Sequence, residues 1–517
     1  MDKQKDLKNN LVDNKKEKGV KVHSHNHDHK HDHDHHDHHH DHDHHHGETI
    51  SPLRASLDVV FGAIPATFGL LFVFIAETIN IIFIGRYNDS NLISGIGIGT
   101  LYVNATGYIL GAGLIGGLDT LCSQTFGAKQ YRLMGIYANI ARLVVVFFFL
   151  FICVPFIVYS STFLGFLGQF QEVSDIASRF GYSMIPSLFF ALQFNTSLRY
   201  LQAMNIFTPG MVVTLTTALL HPFWCYLYIV YFNMGVIGAG VAMGITQFLN
   251  FVIITIYIHI KNPCPESYFY FDSEVFQFEL IFDYLKKGIP AAILFAADWL
   301  GFEVLTLMSS YLSPLDLAAN VCLFNFITLI FMIPCGLSFA TTTLVGNSIG
   351  QQDVEKAKRY TWCAVICGLI MIGTTTSLVL LFRETIPYVY TSEPEIAQLV
   401  TGLLGIYVCF SMVDCIQVIL HGAIKGLGKQ KIASAICLIV LYPVNIPLAY
   451  CFGFVWGYGL NGLWYSQLIS IFLLAASYIS IVTFVDWDEV SDEAVAHFEK
   501  ERTNMGKRSS KDGDVTN

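Results

Sequence analysis

Leu121-Cys-Ser-Gln-Thr-Phe-Gly127 is echoed 223 residues later by Leu344-Val-Gly-Asn-Ser-Ile-Gly350, and each copy runs into a short polar, basic loop. Other pairs keep nearly the same offset. Gly62-Ala-Ile-Pro-Ala66 resembles Lys287-Gly-Ile-Pro-Ala291 at 225, and Gly235 and Gly240 match Gly457 and Gly462 at 222. A glycine pair alone carries little weight in apolar helices; the common offset marks a duplicated chain. Around these motifs lie apolar runs of the length that crosses a hydrocarbon core as helix, about 20 residues. Twelve are expected, near 57–84, 93–117, 138–160, 180–203, 211–233, 237–260, 285–310, 317–345, 361–382, 397–424, 432–454 and 462–485. One repeat spans six of them. An even number of crossings returns the chain to its starting side, so both halves enter the membrane in the same direction. The expected fold class is an all-α polytopic membrane protein, with twelve transmembrane helices in two pseudo-symmetric six-helix bundles. That is a transporter plan, with a site between or within the halves, and one copy of the chain suffices for it. A seven-helix receptor does not fit.

Composition points the same way. Of 517 residues, 53% are hydrophobic and 14% charged, with a formal net charge of −10. Residues 51–485 hold 17 Lys and Arg against 20 Asp and Glu, while the two tails hold 13 and 20 in far fewer residues. A nearly uncharged body with polar tails is a membrane protein's balance, and the lipid bilayer is its first partner. No basic stripe exists to neutralise phosphates, which excludes a nucleic-acid binder. The twelve Cys are mostly scattered singly through apolar runs, as small hydrophobes rather than a disulfide framework. The first 50 residues are polar and the first apolar run is long and late, so no cleavable signal peptide is expected.

Loop charges set the orientation. Loops after even-numbered spans, with the adjoining helix ends, carry thirteen Lys and Arg, and those after odd-numbered spans carry only Arg86, Arg179 and Arg383. The positive-inside bias places the even loops and both termini in the cytosol. Five segments follow: a cytosolic His/Asp-rich tail (1–50), an N-terminal bundle (51–260), a cytosolic interfacial linker (261–284), a C-terminal bundle (285–485) and a cytosolic polar tail (486–517). The linker is expected to hold an amphipathic helix with Ser273 as N-cap. Asn88-Asp-Ser90 is a glycosylation sequon in an outward loop.

Four acids lie well inside the expected spans: Glu77, Asp298, Glu303 and Asp414. A charge in the bilayer core costs at least ~2.5–3.5 kcal/mol, so each is a functional candidate. No basic residue is expected at comparable depth, because Arg199 and Lys425 sit near cytosolic helix ends where they can snorkel. Acids without matching cations suit a cavity that receives a cationic substrate or a proton. Removal from water favours the protonated carboxyl, and an incoming cation favours the ionised one, so one group can alternate between the two ligands. Asp298 and Glu303 point ~140° apart on an ideal helix and are not expected to pair. Asp119, near a cytosolic helix end, is expected to fix loop geometry. Asn80, Asn325 and Gln417 are candidate supporting polar groups.

Four stretches resemble the multidrug and toxic compound extrusion (MATE) family, of the eukaryotic branch. They are Gly117-Leu-Asp-Thr-Leu-Cys-Ser-Gln-Thr-Phe-Gly-Ala-Lys-Gln-Tyr-Arg132, Asp298-Trp-Leu-Gly-Phe-Glu303, Ile333-Pro-Cys-Gly-Leu-Ser-Phe-Ala-Thr-Thr-Thr-Leu-Val-Gly-Asn-Ser-Ile-Gly350 and Gly422-Ala-Ile-Lys-Gly-Leu-Gly-Lys-Gln-Lys431. The likeness covers about 52–485. It implies a secondary active antiporter that exports organic cations or xenobiotics in exchange for protons or sodium ions, with no further cofactor, in a plasma, vacuolar or endosomal membrane. It also implies departures. Asp298 and Asp414 stand where the family carries Glu; Asn325 replaces another Glu; Asn80 occupies the place of a prokaryotic Asp, with Glu77 one turn before it as the group that would substitute.

Residues 23–46 hold fifteen of the nineteen His with six Asp. Such a segment has no core to pack, and imidazoles at this density bind Zn²⁺ or Ni²⁺ without one defined geometry. This His23 to His46 tract keeps a rival reading open, a zinc-type metal-ion transporter with a cytosolic metal trap. An enzyme finds no nucleophile–base motif in the spans. A lipid-linked flippase would want a cationic cavity.

Overall fold

The computed structural model describes residues 50–85, 90–166, 171–267 and 273–514, and these are helical almost throughout. The His tract and the centre of the sequon lie outside the described residues. In hydrocarbon every backbone N–H and C=O must be satisfied within its own segment, which leaves the helix as the spanning form for such apolar runs. The long helices are α1 (Pro52–Gly85), α2 (Ser94–Gly127), α3 (Tyr131–Val158), α4 (Gln171–Ala203), α5 (Thr208–Tyr231), α6 (Gly235–Lys261) and α7 (Phe278–Ser310). They continue as α8 (Pro314–Gly350), α9 (Val354–Leu381), α10 (Pro394–Gly426), α11 (Gln430–Val455), α12 (Gly459–Phe484) and α13 (Trp487–Asp514). Among the described residues, eleven are long and apolar enough to cross a membrane. α4 has the length, but Glu172, Asp175, Arg179, Gln193, Asn195 and Arg199 dilute its apolar character. Large apolar side chains such as Phe61, Phe151, Leu219 and Phe484 are exposed, as a lipid-facing surface permits.

One expectation is corrected. Among its described residues the linker forms no separate helix capped by Ser273. It holds two 3₁₀ turns, Pro265–Ser267 and Ser273–Phe276, and α7 then begins at Phe278 with Gln277, not Ser273, at its N-cap. The apolar face of Phe278–Leu285 simply extends the following helix, burying Leu280 and Tyr284. The polar C-terminal tail is helical as α13, and its Trp487, Val490 and Phe498 are buried.

The repeated motif packs on its own counterpart. α1 lies against α8 and α2 against α7, while α2 and α8 cross each other. At the crossing, a Cβ on Gly127 would run into the Asn347 carbonyl, and one on Gly350 would run into the Gln124 carbonyl. With the 223-residue offset these are the same contact seen from either side, the reciprocity of a two-fold interface. Glycine is needed there because both neighbours are backbone. Gly350→Ala is expected to destabilise the fold by about 1–3 kcal/mol, the range for overpacking. Thermal unfolding in detergent measures it, and an unchanged midpoint would refute the tight crossing.

Candidate functional site

α10 carries four polar residues on one face: Asp414, Gln417, His421 and Lys425, spaced three, four and four apart, so a single stripe runs along the helix. All four are buried. The stripe meets α7, α12 and the second half of α2. Its partners come from segments far away in sequence.

At the centre is Asp298 of α7. Its Oδ2 lies 3.5 Å from His421 Nδ1, and its Oδ1 accepts from the Cys437 thiol of α11 at 3.2 Å. The His421 ring packs 6.5 Å from the Tyr478 ring of α12. Asp298 keeps 22% of its side chain exposed, so it is held yet reachable. Asp414 is different. Only 6% of it is exposed, it forms no hydrogen bond or ion pair with a described residue, and Asp298 and Tyr407 lie within electrostatic reach of it. Gln417 is buried beside Tyr478. A carboxylate buried without a partner is neutralised, by a proton or by a bound cation. Two acids, one imidazole and an amide therefore gather in the C-terminal half.

The other sequence candidates do not join this cluster. Glu303 is half-buried on α7 and makes no contact with Asp298, as the ~140° separation requires. Asn325 is exposed and donates to Val321 O of its own helix at 2.9 Å. Glu77 is half-buried on α1, with Tyr108 of α2 in electrostatic reach. Asn80 is buried and accepts from the Cys225 thiol at 3.2 Å; that sulfur also meets His221 Nε2 at 3.2 Å, and His221 Nδ1 meets Thr246 Oγ1 at 2.8 Å. At the 223-residue offset Asn80 is the counterpart of Glu303. The N-terminal half thus places a neutral, satisfied amide where the C-terminal half places an acid. His421 and Cys437 were missed in the sequence; the one available signal was the helical spacing of His421 from Asp414 and Gln417.

Lys425 ends the stripe and corrects a further expectation. It does not snorkel. Its Nζ lies 3.3 Å from Asp119 Oδ2 of α2, and Arg199 Nε of α4 lies 3.5 Å from Asp119 Oδ1, all three side chains being largely buried. The Arg199 guanidinium also stacks 3.7 Å over the Phe339 ring of α8. Asp119 therefore ties the two halves together rather than shaping a loop. Around it the halves exchange further hydrogen bonds: Thr120 Oγ1 to Lys425 O (2.6 Å), Gln124 Nε2 to Gly426 O (2.8 Å) and Tyr284 Oη to Leu114 O (2.8 Å). All lie toward the end that carries the α2–α3, α8–α9 and α10–α11 loops.

A family model described as MatE matches residues 65–227 and again 290–451, at the spacing of the internal repeat. The chain is similar to Protein DETOXIFICATION 17 of Arabidopsis thaliana, 29% identical over 85% of this chain and 90% of the relative. It is 27% identical to Multidrug and toxin extrusion protein 2 of Oryctolagus cuniculus, over 82% of this chain and 70% of that one. Among solved structures, the eukaryotic MATE transporter AtDTX14 superposes with a TM-score of 0.80 at 24% identity, covering 86% of this chain and 99% of its own.

Proposed function

The chain belongs to the MatE family, and from that premise we propose that it is a secondary active antiporter that exports small organic cations in exchange for protons by alternating access. In this reading α4 supplies the twelfth crossing, the twelve form two six-helix bundles, and both termini are cytosolic. The contacts around Asp119 then close the cytosolic end, which makes the described conformation outward-facing. The observation that carries the reading is Asp414, a buried carboxyl with no hydrogen bond or ion pair to a described residue, within electrostatic reach of the more exposed Asp298. Such a pair exchanges a proton for a cation without any other group, because a cation that arrives at Asp298 lowers the cost of ionising its neighbour. Asn80 cannot titrate, so the coupling is assigned to the C-terminal half, with Glu303 as its outer acid and Glu77 outside it.

The names of the relatives support extrusion of drugs and toxins as the direction and substrate class. The test is uptake of a fluorescent organic cation into proteoliposomes under an imposed pH gradient. Transport is expected to follow the pH gradient, to persist when choline replaces sodium, and to weaken in Glu303→Gln. Dependence on sodium at fixed pH would overturn proton coupling. Failure of every organic cation tested would overturn the substrate class.

A further inference from the structure

Three ligand-bearing side chains meet where α13 crosses the start of α7. Asp283 lies in the second turn of α7. His497 and Glu501 are four residues apart on α13, a spacing that puts both on one face. The ligand atoms of the three lie within 4.8 Å of one another, and His497 Nε2 is 3.6 Å from Asp283 Oδ2. Lys286 Nζ takes the other oxygen, Oδ1, at 3.0 Å. Among the described residues this is the one such group of three. It is not needed to anchor α13, which is held by buried Trp487, Val490 and Phe498, by the Ser491 hydroxyl on Ile349 O (2.9 Å) and by the Lys429–Glu493 pair (3.3 Å).

Two side chains are left incomplete at this place, Glu501 itself and Tyr137. Glu501 is only 7% exposed and forms no hydrogen bond or ion pair with a described residue. Tyr137 of α3 is fully buried, its hydroxyl has no partner, and both Asp283 and Glu501 lie within its electrostatic reach. Two carboxylates, an imidazole and an orphan hydroxyl thus converge with too little positive charge among them.

We propose that Asp283, His497 and Glu501 bind a divalent transition-metal ion of the zinc type, which ties the C-terminal helix to the start of α7. An imidazole in the donor set selects zinc-like ions over Mg²⁺ and Ca²⁺, which want oxygen alone. A tetrahedral ion with bonds of about 2.0–2.1 Å sets its ligand atoms roughly 3.3 Å apart, close to the separation of His497 and Asp283. Water completes the fourth position, and Tyr137 donates to a ligating carboxylate, the outer-shell contact that orients such ligands. α13 touches the C-terminal half through Ser491 and Glu493, and it buries Phe498 in the same apolar cluster as Leu133, Tyr137 and Tyr284. An ion there fastens a strap across the closed end. That consequence rests on the alternating-access reading; the binding does not.

The test uses the full chain with the fifteen tract histidines replaced by Gln, stripped by chelator and titrated with Zn²⁺ by calorimetry. One equivalent is expected to bind. His497→Ala and Glu501→Gln are each expected to weaken it by at least ~10-fold, the lower bound for loss of even an outer-shell partner. His497→Cys keeps a zinc ligand, so it should recover binding and shift preference toward Cd²⁺, which separates lost ligation from lost folding. Absence of stoichiometric uptake, unchanged affinity in both ligand variants, or equal affinity for Ca²⁺ would overturn the site.

Discussion

Asp414→Asn is expected to lower cation uptake driven by a pH gradient by about 10–100-fold, with Asp298→Asn close behind. The figure follows from the ~1.5–3 kcal/mol that a hydrogen bond to a charged group contributes, at ~1.4 kcal/mol per factor of ten. Asp414 sits buried with no hydrogen bond or ion pair to a described residue, so its charge is available to a proton or a cation. The amide keeps the shape and removes the exchange. Asp298 already has His421 and Cys437 beside it, and its substitution also releases the imidazole. Asp414→Glu should retain part of the activity, because it keeps the titrating group. Substrate binding measured without a gradient separates the two roles: loss of binding marks a cation contact, and preserved binding with lost uptake marks coupling. Undiminished uptake in both Asn variants would remove these acids from the mechanism.

The second large effect is asymmetric. Asp119 neutralises two buried cations, Arg199 and Lys425, across the two halves. Asp119→Asn leaves both unpaired, and breaking a buried pair from one side costs about 3–5 kcal/mol. Lys425→Met removes the surplus cation, leaves the Asp119–Arg199 pair intact and keeps an apolar stem against Phe339; it should cost far less. The strain falls on the closed arrangement, so Asp119→Asn is also expected to favour opening at that end. Distances between spin labels placed at Lys129 and Gln352, in the loops after α2 and α8, would report it. Equal effects of the two substitutions on unfolding temperature would show that the three charges do not act as one buried unit.

Much of this was readable before any coordinates. The apolar runs and the motifs of the 223-residue repeat are properties of single segments, and the runs are set by how each segment partitions between water and hydrocarbon. The separation of Asp298 from Glu303 was also local, a matter of angle along one helix. α13 could have been read too, since Trp487, Val490, Ala494 and Phe498 recur at helical spacing in an otherwise polar tail. The stripe from Asp414 to Lys425 was visible in the same way. Lys425 and Arg199 were misjudged because sequence position tells how near a helix end a residue lies, not whether it faces lipid or another helix.

The sequence by itself determined a helical membrane protein of duplicated halves and named the acids that cannot rest in hydrocarbon unaided. Only the tertiary structure decided which side chains those acids meet. Asp298 meets His421 and Cys437 across more than a hundred residues, and Asp119 meets Lys425 across about three hundred. The physical reason is that depth in the membrane follows from the transfer free energy of each segment alone, whereas pairing depends on how every helix is rotated about its own axis. That rotation is set by packing such as the reciprocal Gly127 and Gly350 contacts, which no single segment contains.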